Sequence, residues 1–268
     1  MVDPSPPQNW RWWHTAFVLV STALFGLAAL LAPWGLFTSW IVTMVGLSLF
    51  TLVVGHGVTG VWKGAFVDDR NRMSLSRLQM LLWTVVIVSA FGAIAIARLM
   101  QVPISQADVV RALDVGVPQT IWLLLGISTA SFIGSPLIKN AQKDPDLQLA
   151  PDRQQRLLDA QGHDPTGVTV EGQIVKNKSI QDANFADIFM GETVENANHL
   201  DVGKLQMFFF TVLLLFAYSL SIGVLLRSGV PSSLPDVGAG MLPLLGLSHG
   251  GYLMSKAAAQ TAVAQPAH

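Results

Sequence analysis

Apolar runs of roughly 20 residues without Asp, Glu, Lys or Arg are the feature that most limits how this chain can fold. Such a run, as a helix, spans the hydrocarbon core of a bilayer. Of the 268 residues, 51% are hydrophobic and only 12% are charged, whereas soluble domains carry roughly a quarter charged residues. The sequence therefore predicts an all-α, polytopic membrane helix bundle.

Six transmembrane helices are predicted, over residues 15–32, 39–61, 78–97, 118–138, 202–226 and 237–256. Three tryptophans and an arginine at residues 10–13 precede the first span, as in an interfacial anchor. The predicted division of the chain is an N-terminal transmembrane hairpin (1–62), a first repeat hairpin (63–139), an acidic cytoplasmic insertion (140–201), and a second repeat hairpin with the tail (202–268).

An internal repeat relates the hairpin of spans three and four to the hairpin of spans five and six. The segment from Arg77 to Val85 returns 127 positions later as the segment from Lys204 to Val212. Both copies place a basic residue before Leu-Gln-Met, followed by a Thr at the head of an apolar run. Because both hairpins enter from the same side, the repeat is parallel, with its axis along the membrane normal.

Small residues follow one face of the fourth and sixth spans. Gly126, Ala130 and Gly134 are spaced four residues apart, and Gly246 and Gly250 repeat the first two positions. Stripes of this kind let helix backbones approach closely in lipid, where hydrophobic burial does not drive association. We therefore predict that these five residues are helix-packing positions.

Uncharged polar residues inside the spans are the candidates for lining a permeation path. Most occur at matching places in the two repeats, and two histidines accompany them: Gln79, Thr84, Ser128, Gln206, Thr211, Ser248, His56 and His249. Polar groups are costly in lipid, so these residues predict either a polar path or bonds between helices. The spans carry no charge away from their ends, which argues against a voltage sensor or a transporter coupled through a buried carboxylate.

One arrangement resembles a known family of enzymes. Six spans, a Gly-x-Ser in the fourth span ending at Ser128 and a histidine in the sixth, His249, resemble the layout of rhomboid intramembrane serine proteases. The resemblance implies that Ser128 is the nucleophile and His249 its base. The sequence departs from the family at Thr129, where the family has Gly, and the Gly-x-Ser also recurs in the repeat, ending at Ser248.

Metal and cofactor sites find little support in the sequence. The chain has no Cys, which excludes disulfides and thiolate ligands. Glu195 and His199, four residues apart, are weak candidates for a divalent-cation site, and a solvated acidic face is the competing interpretation. No cofactor is predicted.

Residues 139–201 are the one sizeable polar segment, with six basic and eleven acidic residues and a local charge of −5. A helix is predicted over 151–161, a small hairpin over 168–175 centred on Gly172, and a short amphipathic helix over 185–190. This segment has too little apolar material for a robust core of its own. We expect it to lean on the membrane part or on a neighbouring subunit.

The basic residues predict the orientation of the chain. With six spans, thirteen of the sixteen lie on one side, and Arg98, Arg111 and Arg227 lie on the other. The positive-inside rule places both termini and the insertion in the cytoplasm. The predicted location is the inner (cytoplasmic) membrane of a bacterium, as a multi-pass protein.

Three functions remain open from the sequence. The first is an oligomeric ion channel or small-solute permeation protein, and the second is a membrane scaffold or sensor signalling through residues 140–201. The third is a rhomboid-like protease acting through Ser128 and His249. The expected partners are the lipid bilayer, further copies of this chain and a soluble protein at 140–201, while the net charge of −1 gives no sign of nucleic acid.

Overall fold

A computed structural model describes residues 9–31, 35–101, 106–144, 149–162, 167–238 and 240–263. In these ranges the chain is mostly helical. The helices are α1 (Trp12–Leu31), α2 (Leu36–Thr59), α3 (Leu75–Leu99), α4 (Gln106–Leu113), α5 (Gln119–Gln142), α6 (Pro151–Ala160), α7 (Val202–Ser228) and α8 (Met241–Val263). The strands are β1 (Val168–Glu171) and β2 (Ile174–Asn177), and three short 3₁₀ turns cover Gly64–Phe66, Ile180–Asp182 and Phe185–Phe189.

Four helices are long and apolar enough to cross a membrane, namely α2, α3, α5 and α7. They indicate a membrane protein and agree with an all-α membrane bundle. The helices α1 and α8 lie on the first and sixth predicted spans. The count of six spans therefore stays a prediction, and so do the parallel repeat and the division of the chain into hairpins.

The chain divides into two compact units. Unit 1 comprises Met1–Ala65, Leu81–Leu125 and Leu213–Met241. Unit 2 comprises Phe66–Met80, Gly126–Val212 and Leu242–His268. Because these boundaries fall inside α3, α5 and α7, each of those helices contributes residues to both units.

In unit 1, α1 and α2 pack as a pair whose close approach depends on a glycine. A Cβ at Gly46 of α2 would lie 3.2 Å from Leu24 Cβ and 3.3 Å from the carbonyl oxygen of Ser21 on α1. Elsewhere in the unit, the buried indole of Trp40 in α2 donates to Ser89 Oγ in α3 at 3.0 Å. Close packing of helix backbones and hydrogen bonds between helices both favour helix association in lipid.

Unit 2 contains the segment between α5 and α7, and two of the three local predictions for this segment are confirmed. The helix predicted over 151–161 is α6, with Pro151 at its first turn, where the missing N–H costs nothing. The predicted hairpin is β1 paired antiparallel with β2 through a two-residue turn at Gly172, whose φ of 61° suits a glycine. The amphipathic residues predicted over 185–190 form a 3₁₀ turn, Phe185–Phe189, rather than an α-helix.

The core of unit 2 joins the polar segment to the ends of the long helices. Ala183 and Ile188 of the segment are buried together with Met73 and Leu75 at the start of α3, Met207 of α7 and Tyr252 of α8. A second, smaller cluster consists of Leu158, Val175, Val194 and Ala197. The first cluster packs the segment against residues at the ends of the long helices, whereas the second cluster lies wholly within the segment.

Candidate functional site: a buried ion-pair network in unit 2

Residues 67–73 form a tight hairpin immediately before α3. The N–H of Asp68 donates to the carbonyl of Arg72 at 2.9 Å, and Asn71 adopts a left-handed φ of 55°, which Asn tolerates better than most residues. The Arg70 N–H donates to Asp68 Oδ1 at 3.0 Å, as in turns closed by an aspartate side chain. The turn therefore holds the carboxylate of Asp68 and the side chain of Arg70 next to each other.

Asp68 is the first of two carboxylates that each form ion pairs with more than one cationic side chain. Its Oδ2 accepts from Arg70 Nε at 2.9 Å and lies 2.9 Å from Arg70 Nη2. The ammonium of Lys139, near the C-terminal end of α5, donates to the same oxygen at 2.8 Å. All three side chains are nearly sealed from solvent, with exposed fractions of 2–6%.

Glu192 is the second carboxylate, and it belongs to the polar segment. Its Oε1 lies 2.9 Å from Lys204 Nζ in α7, 3.3 Å from Arg70 Nη2 and 3.6 Å from Lys139 Nζ. Lys204 also donates to the carbonyl of Met190 at 2.6 Å. We refer to Asp68, Arg70, Lys139, Glu192 and Lys204 as the ion-pair network.

The ion-pair network contains three cations and two carboxylates in a buried environment. Removing charges from water is expensive, and their mutual attraction offsets that cost only when each is well paired. Such an arrangement contributes little net stability as a whole, but loss of one partner leaves an uncompensated buried charge. The network therefore fixes the hairpin 67–73, the end of α5, the polar segment and the start of α7 in one arrangement.

The pKa of Asp68 reflects the balance between the cost of burial and the attraction of nearby cations. Burial by itself would raise the pKa of the carboxyl, but the charges of Arg70 and Lys139 outweigh it and hold the pKa well below its ordinary value. Burial would lower the pKa of Arg70, but the charges of Glu192 and Asp68 overcome that effect and raise it. Both groups are therefore charged throughout the physiological pH range.

Acid is expected to weaken unit 2 through Asp68. Because the pKa of Asp68 is lower in the folded protein than in the unfolded chain, its carboxylate stabilises the fold fully above about pH 4, and that contribution is lost as the pH falls through the folded-state pKa. We expect the contribution of Asp68 to the free energy of unfolding in detergent to be constant from about pH 7 to 5 and to fall below about pH 4.

Two variants isolate the contribution of Asp68 to this acid sensitivity. Asp68→Asn should be less stable at neutral pH and should show a smaller further loss in acid. Asp152→Asn, which removes an exposed carboxylate paired with Arg156 on the surface, should retain the wild-type profile. An acid profile that is identical in wild type and Asp68→Asn would exclude Asp68 as its source.

A second set of contacts docks the hairpin 67–73 on the end of β2. The side chains of Asn71 and Asn177 each donate to the backbone carbonyl of the other residue, at 2.9 and 3.0 Å. The N–H of Asn177 donates to the Arg70 carbonyl at 2.9 Å, and Arg72 Nε donates to Asn177 Oδ1 at 3.3 Å. These bonds satisfy buried polar groups, so they specify where the hairpin meets the polar segment.

A cleft of about 230 Å³ borders the network. Its lining includes Asp68 and Lys139 from the network, together with Arg77, Ser76 and Asn140. Among the described residues, the whole lining combines two acidic, two basic and four neutral polar side chains, with Asp69, Ser74 and Ser135 completing the polar set. A small polar ligand in this cleft would touch the network directly.

Gln79 and Gln206, the matching glutamines of the two predicted repeats, lie in different environments. Gln79 is 1% exposed, and its Nε2 donates to the Met207 carbonyl at 3.3 Å and to the buried hydroxyl of Thr211 in α7. Gln206 is exposed, and so is Thr84, the residue that matches Thr211. Within unit 2, Gln79 therefore bonds α3 to α7.

The Gln79→Leu variant is expected to lower the free energy of unfolding by roughly 1 kcal/mol, because it removes a hydrogen bond between two membrane helices. Gln206→Leu is the matched control, the same substitution at the repeat-related but exposed position, and should change stability by less than about 0.5 kcal/mol. Unfolding in mixed micelles measures both. Equal effects of the two substitutions would contradict the different roles assigned to the two glutamines.

The predicted pair of Ser128 and His249 lies within unit 2, but the hydrogen bond of His249 goes elsewhere. His249 Nδ1 is 2.5 Å from Ser131 Oγ, and both residues are buried. Among the described residues, Ser128 Oγ, Ser248 Oγ and His249 Nε2 are buried without a hydrogen-bond partner. The structure thus brings His249 to Ser131 and does not bring it into hydrogen-bonding contact with Ser128.

The predicted packing stripe meets a partner helix at only some of its positions. A Cβ at Gly134 of α5 would lie 3.5 Å from Leu253 of α8, and a Cβ at Gly246 of α8 would lie 3.9 Å from Ile127 of α5. Gly126 and Gly250 have no such neighbour within 4 Å among the described residues, and Ala130 is exposed.

The remaining predicted site residues are not members of the ion-pair network. Glu195 and His199 are exposed, and no group of three or more metal-ligating side chains occurs in the described parts of the chain. His56 belongs to unit 1, where its Nδ1 is 2.9 Å from His14 Nε2.

Sequence reasoning did not identify the ion-pair network as a site. The only available signal was that charges of both signs cluster next to the ends of apolar spans, as at Asp68 and Arg70. Such residues ordinarily lie in water at the membrane surface. The partner that buries them, Glu192, is more than 100 residues away in sequence, and no local pattern pairs the two.

Comparison of the chain with protein-family models, curated proteins and solved structures gives no match. Helical bundles host many unrelated functions. The function of this chain must therefore be argued from its own contacts and charges.

Proposed function

We propose that the chain is an inner-membrane scaffold or sensor whose working surface is the segment 140–201. The observation that carries this proposal is the ion-pair network, in which Glu192 of the segment contacts Lys139 of α5, Lys204 of α7 and Arg70 before α3. Because these ion pairs hold the segment to the helix ends, a displacement of the segment would also displace the helix ends.

The topology that goes with this proposal has six spans, formed by α1, α2, α3, α5, α7 and α8. Both termini and the segment 140–201 face the cytoplasm, and the hairpins from 63–139 and 202–268 are related by a parallel repeat. The excess of basic residues at the corresponding helix ends supports this orientation. A soluble partner would then reach the segment from the cytoplasm.

The physical basis of coupling is electrostatic. Displacing Glu192 would leave Arg70, Lys139 and Lys204 with Asp68 as the one remaining carboxylate of the network. Uncompensated charges of this kind are strongly unfavourable in a buried site. Movement of the segment would therefore require the helix ends to rearrange with it, which is the kind of coupling that a switch requires.

A photo-crosslinking experiment in native cells tests the proposal. A benzophenone amino acid at Phe185, which is aromatic, 52% exposed and part of the segment, should give a discrete adduct with another protein. The same amino acid at Trp122, 61% exposed on the apolar helix α5, is the matched control and should not give that adduct.

The network predicts how this adduct responds to mutation. Lys139→Met should reduce or shift the Phe185 adduct, because it disturbs the arrangement that holds the segment, whereas the exposed Arg153→Gln should not. Adducts consisting only of the chain crosslinked to itself, or an adduct unaffected by Lys139→Met, would count against a scaffold or sensor.

A second candidate, an oligomeric ion-channel or small-solute permeation protein, has its own supporting observation. Gln79 Oε1, Ser128 Oγ, Ser248 Oγ and His249 Nε2 are buried polar atoms of unit 2 without a hydrogen-bond partner among the described residues. Buried polar atoms are normally satisfied, and ordered water or an ion is the usual partner where protein groups are missing. Four such atoms support a hydrated interior.

Further copies of the chain would complete such a path. The exposed Ala130 and the open positions at Gly126 and Gly250 support close packing of α5 and α8 against a second copy. Purified protein in liposomes should then show ion or solute flux that falls in the Ser128→Ala and Ser248→Ala double variant. Absence of flux in wild type would leave the scaffold or sensor as the function.

A further inference from the structure

Unit 1 contains a second polar cluster, separate from the ion-pair network, where the start of α1 meets the end of α2. His14 is fully buried, and its Nε2 lies 2.9 Å from His56 Nδ1. Trp13 stacks on His14 with ring centroids 3.6 Å apart, and Trp62 lies over His56 at 4.4 Å. The two imidazoles are thus held between indole rings.

The hydrogen bonds of this cluster fix where the ring protons lie when both histidines are neutral. The backbone N–H of Arg11 donates to His14 Nδ1 at 2.8 Å, so this nitrogen is an acceptor and Nε2 carries the proton. His14 Nε2–H then donates to His56 Nδ1, which leaves the proton of His56 on its Nε2. This chain of hydrogen bonds, the histidine relay, therefore ends at His56 Nε2, which is a donor.

Two glycines of α2 make room for this cluster. A Cβ at Gly57 would lie 2.5 Å from the Trp10 ring and 3.1 Å from His14 Cδ2. Gly60 ends the helix in a left-handed conformation with φ of 80°, and a Cβ there would lie 2.9 Å from the side chain of Asn9. The close packing of the N-terminal residues on α2 therefore depends on both glycines.

A cavity of about 250 Å³ lies at this cluster. Its lining residues are Asn9, Arg11, Trp13, His14, His56 and Gly60. The described lining residues offer a guanidinium, an amide and the imidazole of His56, and none of them is a carboxylate. A site with this composition favours an anion and disfavours a cation.

We propose that this cavity binds a phosphate group, held by the guanidinium of Arg11 and by the Nε2–H of His56. Arginine pairs with phosphate through a planar fork of N–H groups, which gives bonds stronger than those between neutral groups. A metal ion is a poorer fit, because His14 and His56 use the facing nitrogens on each other and none of the described residues that line the cavity is a carboxylate.

The phosphate can belong to a lipid headgroup or to a soluble phosphate ester. Tryptophan and arginine next to an apolar helix are the residues that anchor helices at the level of lipid headgroups. Basic pockets beside membrane helices are known settings for anionic headgroups. The shared chemistry is the phosphate, and the experiment distinguishes its two sources.

Native mass spectrometry of the full chain released from detergent tests the proposal. The probes are phosphatidylglycerol and a monogalactosyl diacylglycerol with the same acyl chains, which lacks the phosphate. Wild type should retain the phospholipid about tenfold better than the glycolipid. Arg11→Gln should lose this preference, and Arg111→Gln, an equal change of charge at an exposed residue outside the cavity, should keep it.

His56→Phe is the second variant, which keeps a ring beside Trp62 but removes the donor, and it should also lose the preference. Arg11 is exposed, so Arg11→Gln still tests the proposal if His56→Phe is unstable. Equal retention of the two lipids by wild type, or wild-type preference in Arg11→Gln, would overturn the proposal. Displacement of the phospholipid by glycerol phosphate assigns the site to a soluble ester, and failure to displace it assigns the site to lipid.

Discussion

The Glu192→Gln variant is expected to unfold with a free energy about 3–5 kcal/mol lower than that of wild type. Glutamine keeps the shape of the side chain but removes the charge that faces Arg70, Lys139 and Lys204 at 3.3, 3.6 and 2.9 Å. Three cations then share the single carboxylate of Asp68 in a buried site. Unfolding followed by tryptophan fluorescence in mixed micelles measures the difference.

The matched control is Glu195→Gln, the same substitution three positions later on the exposed surface of the segment. It should change stability by no more than about 0.5 kcal/mol. A double variant, Glu192→Gln with Lys204→Met, should recover part of the loss, because it removes one of the uncompensated cations. Similar effects of the two single substitutions would show that the network does not hold the segment in place.

The Gly172→Ala variant is expected to lose roughly 3 kcal/mol or more, through strain and steric overlap together. Gly172 has φ of 61°, where a side chain is strained, and a Cβ there would lie 2.4 Å from the carbonyl oxygen of Gln142. It would also lie 2.7 Å from Lys143 Cα. The turn of the hairpin would therefore be forced away from the end of α5.

Gly162→Ala separates the two causes. Gly162 also has a left-handed φ, of 71°, but nothing among the described residues lies within 4 Å of a Cβ placed there. Gly162→Ala should therefore lower the free energy of unfolding by about 1–2 kcal/mol through the unfavourable backbone conformation alone, without steric overlap. Thermal unfolding of both variants measures the difference between their losses of stability. That difference is the part caused by steric overlap with the end of α5. Equal losses in the two variants would contradict the contact between the hairpin turn and α5.

Much of the secondary structure was predictable, because apolar length and turn chemistry are local properties of a sequence. The spans predicted over 39–61, 78–97, 118–138 and 202–226 correspond to α2, α3, α5 and α7, each apolar enough to cross a membrane. The hairpin around Gly172 was predictable for a similar reason, since its turn needs a residue that accepts positive φ.

The environments of the repeated residues were not predictable from the repeat. Gln79 is buried against Thr211, whereas Gln206 is exposed, although the two glutamines occupy the same place in the repeated motif. Sequence similarity relates the positions along a helix but does not determine which neighbour each helix face meets. That depends on which other helices surround each copy.

The sequence by itself determined that the chain forms long membrane-competent helices separated by one sizeable polar segment. Charge density, run length and turn residues suffice for this, because each acts over a few neighbouring positions. Only the tertiary structure decided that Asp68, Arg70, Lys139, Glu192 and Lys204 share one buried site, and that His14 meets His56. Buried pairing depends on contacts between segments distant in sequence, where the loss of hydration makes each charge require a particular partner.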